Sequence, residues 1–271
     1  MKALIIITFM LQTFNLFAQN IPSQVSQQVS LIRSGRSAEF RALSQAISRS
    51  PDAVLRALAP YRTDTLDRVR QWTYEQYHQI LLENERPQAM RREVVSLLIE
   101  GIADPSHFVR NACVNFLMEC NRQDFTPQAQ ARFSELFNSG AWFSRDLILL
   151  AGFIGDASIR ATLEDLASSP DPAHRRLLWH VNLALARMGN ENAMNWCLMQ
   201  IERIGINDDV TFDLLPGLVY TRQRSAIDFL ISVLNSDEAL CTSTNPDMEV
   251  PILCWGYVFD IFAIVERQGK Y

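Results

Sequence analysis

Chemistry in this chain would have to rest on four histidines, five cysteines and a few acidic pairs. The histidines stand at 78, 107, 174 and 180, and none belongs to a His-Glu-x-x-His zinc helix. No Cys-x-x-Cys and no Gly-x-Ser-x-Gly occurs either. His107 follows Asp104-Pro105 and His174 follows Asp171-Pro172, at equivalent places 171 − 104 = 67 residues apart. Two layers of helix, at about 10 Å each, would separate them by roughly 20 Å, too far to share a metal. They read as structural or capping residues, and His180, between Trp179 and Val181, as a core or interface residue. Cys197 has the type of a nucleophile, yet the repeat described below sets it in one column with Leu163 and Ile231, which makes it core. Glu164-Asp165 and the group Glu75, Glu83, Glu85 supply carboxylates of the kind used in glycoside cleavage, but each falls on an ordinary solvated helix face. Asp208-Asp209 reads as a loop ending in an N-cap, and Asp237, Glu238, Asp247 and Glu249 lack the ligand spacing of a calcium loop. The expectation is therefore no catalytic residue, no metal and no cofactor.

The elements that would hold these residues repeat. Asp104-Pro105-Ser106-His107 and Asp171-Pro172-Ala173-His174 each open an apolar run, and Val114-Asn115 then falls on Val181-Asn182. Half of the 67-residue offset is a unit of about 33–34 residues, and Gly155-Asp156 recurs as Gly189-Asn190 at 189 − 155 = 34. A fixed period in this range marks a solenoid, in which each unit buries its apolar face against its neighbours. Gly155 and Gly189 are expected in the left-handed conformation that ends a helix, with Asp156 and Asn190 capping the next one. At steps of 34, Ile159 aligns with Ala193 and Ile227, and Leu163 with Cys197 and Ile231. Upstream, Ser50-Pro51 has the form of an N-cap followed by proline at the first helical position. Thr65 to Leu82 carries an apolar residue every three or four positions, and the next helix runs to Glu100 and stops at Gly101. No strand pattern or hairpin turn recurs. The fold class expected is all-α, a right-handed α-solenoid of helical hairpins.

Residues 1–18 have the features of a signal peptide: Lys2, the apolar run Ala3–Leu11, and a small residue at Ala18. The run is too short to span a bilayer, and the leader resembles those of Bacteroidetes-type bacteria that end in Phe-Ala-Gln. Residues 19–271 are expected to form one domain, with capping helices over 19–60 and a loop plus closing helix over 236–271. Pro251–Val265 is apolar but also too short to cross a membrane, and Asp260 interrupts it. Cys241 and Cys254 flank the polar stretch around Asn245-Pro246. Export would permit a disulfide between them, and two buried thiols are the alternative. Cys113 and Cys120, seven residues apart on one helix, are too distant to bridge.

The net charge is −5, which disfavours sequence-independent nucleic-acid binding. Lys2 and Lys270 are the only lysines, so nearly every cation is an arginine. That bias reflects either genomic base composition or the bidentate and stacking contacts that only arginine makes.

The Asp-Pro openings, Arg110 and Arg175-Arg176 just after them, the run Leu183-Ala184-Leu185-Ala186 and the closing Met188-Gly189-Asn190-Glu191 resemble HEAT repeats. The nearest variety is the short kind also found in phycobilin-lyase-like proteins. The resemblance spans about residues 90–235. Gly217 within a helix and the absence of a Gly-Asn pair near Thr221 depart from it. It implies a protein–protein scaffold, non-enzymatic, that meets a partner with the second helix of each hairpin, which forms the inner wall of such stacks. The residues expected there are Arg160, Glu164, Asn195, Glu202 and Asp228, which interrupt the apolar columns, together with Trp142, since Trp142 and Phe143 cannot both face the core. The expectation is a monomeric, periplasmic or secreted interaction module with an unidentified protein partner. A ligand-binding or enzyme-assisting module, or a chaperone-like piece of a larger assembly, is the competing reading.

Overall fold

The computed structural model describes residues 21–38, 43–83, 86–204 and 214–234, and every regular element among them is helical. Among the described residues no helix is long and apolar enough to cross a membrane. The chain divides into two compact units, Met1–Ala129 and Gln130–Tyr271. The leader, Asp208-Asp209, the acidic residues after 235, and Cys241 and Cys254 lie outside the described residues.

In the first unit, α1 (21–33) buries Ile21, Val25, Val29 and Ile32 at helical spacing. Two short helices follow, α2 (Ser44–Arg49) and α3 (Pro51–Leu58), and then a 3-10 turn over Ala59–Thr63. Pro51 sits at the start of α3 as expected, but Ser50 makes no side-chain capping bond. The centre of the unit is α4 (Asp67–Leu82), which packs on α2, α3 and the 3-10 turn and also on α5 (Gln88–Gly101) and α6 (His107–Met118). Its buried face includes Val69, Trp72, Thr73, Tyr77 and Ile80. The split into two units falls inside α7 (Pro127–Asn138).

The second unit continues with α8 (Arg145–Ile154), α9 (Ala157–Ser168), α10 (Pro172–Arg175), α11 (Leu178–Arg187), α12 (Glu191–Ile204), α13 (Leu215–Thr221) and α14 (Arg224–Leu234). Its axis is α11, packed against α8, α9, α12 and α13, so that every residue from Val181 to Ala186 is buried. The Leu-Ala alternation suits this surrounded position, because small residues let neighbouring helices approach. At Gly152 a Cβ would lie 2.6 Å from the Ala184 Cα, and at Gly217 a Cβ would lie 2.6 Å from Leu183. Gly217, an irregularity when read as sequence, is therefore where α13 settles on α11.

The two Asp-Pro openings are not equivalent in structure. His107 begins a helix of 12 residues, whereas Asp171-Pro172 opens only the four-residue α10, broken from α11 at Arg176-Leu177. The hairpin turns of the second unit are more regular. Gly155 has φ 68° and its N–H bonds the Ala151 carbonyl at 2.9 Å. Gly189 has φ 86°, with Gly189 N–H on Ala186 and Asn190 N–H on Leu185, the paired bonds of a Schellman turn. The third turn uses Arg222 at φ 57°, the only non-glycine with positive φ among the described residues. Its offset is 222 − 189 = 33, one residue short of the preceding step.

That missing residue corrects the last repeat. Ile227 and Ile231, aligned at steps of 34 with the core positions Ala193 and Cys197, are 40% and 43% exposed. Ala226, Leu230 and Val233 are buried instead, and 226 − 193 = 230 − 197 = 33. Each residue advances a helix by about 100° at 3.6 residues per turn, so a one-residue slip carries a core position onto the flank.

Candidate interaction face

The turns fix how α9, α12 and α14 are presented. Asp156 Oδ1 accepts the Ser158 N–H at 2.8 Å and Asn190 Oδ1 accepts the Ala193 N–H at 3.1 Å, so α9 and α12 start at defined residues. Asp156 is held below the usual carboxylate range, chiefly by its hydrogen bonds to Ser158. Cys197 faces inward from α12, fully buried, its thiol pushed up to about 12 by burial. Such a thiol carries almost no thiolate at neutral pH and is a poor nucleophile.

The expected partner-facing residues fall into two columns. Asn195, Glu202 and Asp228 are exposed on the outer faces of α12 and α14, and Asn195 and Asp228 are equivalent at 228 − 195 = 33. Exposed Met199 stands between Asn195 and Glu202 on α12, and Asp228 is tied to Arg224 at 2.8 Å. Arg160 and Glu164 occupy the other column, equivalent to Met194 and Leu198 at steps of 34 and to Ile227 and Ile231 at a further 33. Here Arg160 is committed within the fold: its Nη2 donates to the Met188 carbonyl at 2.6 Å, at the C-terminal end of α11. Glu164 is exposed. Met194 is buried and α12 packs on α14, whereas Ile227 and Ile231 in the same column are open. Trp142 and Phe143 are both half-buried, and the Phe143 ring packs on Phe137 at 5.4 Å and edge-on to His174 at 6.0 Å. Together α12 and α14 expose Met199, Ile204, Ile227 and Ile231 beside acidic and amide side chains.

The histidines have structural surroundings. His78 stacks on Phe116 with ring centroids 4.2 Å apart and meets Glu119 at 3.0 Å. Burial lowers its pKa against the opposing pull of Glu119, which favours the neutral ring at pH 7. His174 Nδ1 lies 2.8 Å from the Ser169 hydroxyl, and His107 packs on Phe108. His180 Nδ1 is buried with no hydrogen-bond partner among the described residues, and burial together with the Arg145 charge lowers its pKa. Among the described residues no group of three or more His, Cys, Asp or Glu is arranged to hold a metal ion.

Sequence reading missed the buried arginines. Arg70 makes a bidentate pair with Asp104, Nε to Oδ2 at 2.7 Å and Nη2 to Oδ1 at 2.8 Å, while Nη1 donates to the Asp64 carbonyl at 2.7 Å. Arg91 grips the fully buried Asp124 with Nε at 3.1 Å and Nη2 at 2.8 Å, and Nη1 closes α4 at the Leu81 carbonyl. Arg187 lies over the rings of Phe153 and Tyr220, at 5.3 and 4.7 Å, and donates to the Tyr220 carbonyl. The signal was present as Asp-x5-Arg at 64/70 and again at 104/110, where Arg110 Nη1 reaches back to the Asp104 carbonyl at 2.9 Å as Arg70 reaches Asp64.

No protein-family model, no curated protein and no solved structure matches the chain.

Proposed function

We propose that this chain is a non-catalytic, HEAT-like interaction module, exported to the periplasm or beyond, that binds a protein partner on the outer face of α12 and α14. The observation that carries this reading is the mixed surface of those two helices. Met199 is 63% exposed and Ile204 51%, and with Ile227 and Ile231 they lie among Asn195, Glu202 and Asp228. Several large apolar side chains left in water on neighbouring helices are the composition of an interface before it is covered.

The order of packing supports HEAT-like hairpins within each unit. In the first, α4 meets both α5 and α6, and α5 meets α6. In the second, α11 meets α8 before it and α13 after it, while α12 meets α14. First helices thus contact first helices, and α12 and α14 pair as second helices, as a stack of hairpins would have them. The leader-like first 18 residues support export.

The test is affinity capture from periplasmic extract with the wild-type chain and with Met199→Glu/Ile231→Glu. A partner retained by the wild type and lost from the variant, with the helical circular dichroism of both unchanged, supports the reading. Equal capture by both, or none by either, refutes it. A ligand-binding role is favoured by a separate observation, a cleft in the first unit.

A further inference from the structure

The first unit contains a cleft of about 280 Å³ between α3, the 3-10 turn, α4 and α5. Its size, just below the volumes typical of ligand sites, suits a very small molecule. The Tyr77 side chain forms part of its wall and is fully buried, and the Tyr77 hydroxyl has no hydrogen-bond partner among the described residues. An unpaired buried hydroxyl costs free energy unless something in the cleft satisfies it. Tyrosines in folded proteins are placed so that ring burial and hydroxyl bonding coexist; here the ring is buried and packs edge-on to Tyr74 at 5.9 Å, but the hydroxyl is left over.

The rest of the lining is unusual in its charges. Arg56 and Arg62 bring two cations, and Asp52 and Glu93 bring two carboxylates. Among the described residues none of the four is engaged in an ion pair, although Asp52 and Arg56 stand four apart on α3; Arg62 Nε makes only a long bond, 3.4 Å, to the Ala59 carbonyl. Arg62 and Glu93 are both close enough to the Tyr77 hydroxyl to shift its ionisation in opposite directions, and burial holds it at about 12, so it is a donor at neutral pH. Apolar surface between the charges comes from Leu97 and its neighbours.

A simple anion would meet Asp52 and Glu93, and a simple cation would meet Arg56 and Arg62. A ligand with both charges a few ångströms apart satisfies both sets. We propose that this cleft binds a free amino acid with an apolar side chain, its carboxylate on Arg62 and the Tyr77 hydroxyl, its ammonium on Glu93 or Asp52, and its side chain on Leu97. The site is independent of the α12–α14 face, and neither reading depends on the other.

The experiment is a calorimetric titration of the full chain with L-leucine, isocaproate and isoamylamine, which present the same isobutyl side chain with both charges, the anion alone and the cation alone. L-Leucine is expected to bind, and each analogue to bind at least tenfold more weakly, since each loses a charge-assisted contact. Tyr77→Phe is expected to weaken leucine binding several-fold while leaving the melting temperature of the ligand-free protein unchanged or raised, because the orphan hydroxyl is gone. Arg62→Gln is a second variant that leaves the buried ring in place and should also weaken binding at least tenfold. Absence of heat with L-leucine, L-alanine and L-phenylalanine at up to ~10 mM, a range that saturates even a millimolar site, would overturn the proposal. So would analogues that bind as tightly as leucine, or a Tyr77→Phe chain that binds it unchanged.

Discussion

Removing Arg70 isolates one interaction on which the first unit is expected to depend. Its side chain is 10% exposed and that of Asp104 5%, and the guanidinium makes two bonds to the carboxylate and further bonds to the Asp64 and Thr65 carbonyls. In Arg70→Ala the Asp104 carboxylate stays buried with one strong donor left, the Ser106 N–H at 2.8 Å. Stranding one member of a buried pair costs about 3–5 kcal/mol. At a urea dependence of ~2–3 kcal/mol per molar, the unfolding midpoint should fall by roughly 1–2.5 M. Arg224→Ala is the control, because that pair is 86% and 53% exposed and such surface pairs are worth about 0–1 kcal/mol. The double variant Arg70→Met/Asp104→Leu should recover much of the loss, since an apolar replacement of both partners strands no charge. Urea unfolding followed by far-ultraviolet circular dichroism reads all of these. If Arg70→Ala costs no more than Arg224→Ala, the claim that this pair anchors α4 to the loop before α6 is wrong.

Gly189→Val should destabilise by more than ~1 kcal/mol in a thermal melt. A Cβ there would meet nothing within 4 Å, so the cost is the left-handed backbone at φ 86° alone. Arg222→Gly relieves the same conformation at φ 57° and should come out more stable than Arg222→Ala by about 1 kcal/mol. Asp124 is fully buried; desolvation raises its pKa, but the bonds from Arg91, Gln88 and the Asn121 N–H outweigh this and hold it below the ordinary carboxylate range. A depressed folded-state pKa contributes stability above the unfolded value near ~4, and that contribution is lost as pH falls through the folded pKa. The urea-midpoint gap between wild type and Asp124→Asn should therefore be widest at pH 7 and narrow below about pH 4; a gap independent of pH would contradict it. Cys197 should react with a thiol reagent only as fast as the native protein opens, and rapid labelling without denaturant would show the thiol is not buried as described.

Helix positions and inward faces were legible because they depend on local spacing. Val69, Val109, Val181 and Ile159 are apolar at the right intervals and are all fully buried. The turn at Gly189 was legible because only glycine holds φ 86° without strain. Contacts between distant residues left weaker traces. Arg70 and Asp104 are 34 positions apart, and an arginine that will pair through a core looks in sequence like one that will sit in water. The arginine bias itself now has a physical use at three sites: bidentate at Asp104 and Asp124, and stacked between Phe153 and Tyr220, contacts that lysine cannot reproduce. The cleft at Tyr77 was invisible, because its lining comes from four elements and a buried tyrosine gives no hint that its hydroxyl is unpaired.

The slip at Arg222 also changes which face of α14 matters. Equivalent residues in a stack should be equally buried as long as a following layer covers them. Met194 on α12 is buried, and its counterpart Ile227, at 227 − 194 = 33, is 40% exposed. Ile231 bears the same relation to the half-buried Leu198. Since α14 packs on α12, the difference between the two helices among the described residues is the layer that covers α12. Ile227→Ser/Ile231→Ser then separates two cases by stability alone. At 40% and 43% exposure each side chain still buries a little over half its surface, so the pair should cost about 2–3.5 kcal/mol at ~1.5–3 kcal/mol per fully buried side chain. A loss above about 5 kcal/mol, the range for two fully buried side chains cut back, seen as a lower urea midpoint in the isolated chain, would mean that the face is covered in solution and would refute its use as an open docking surface.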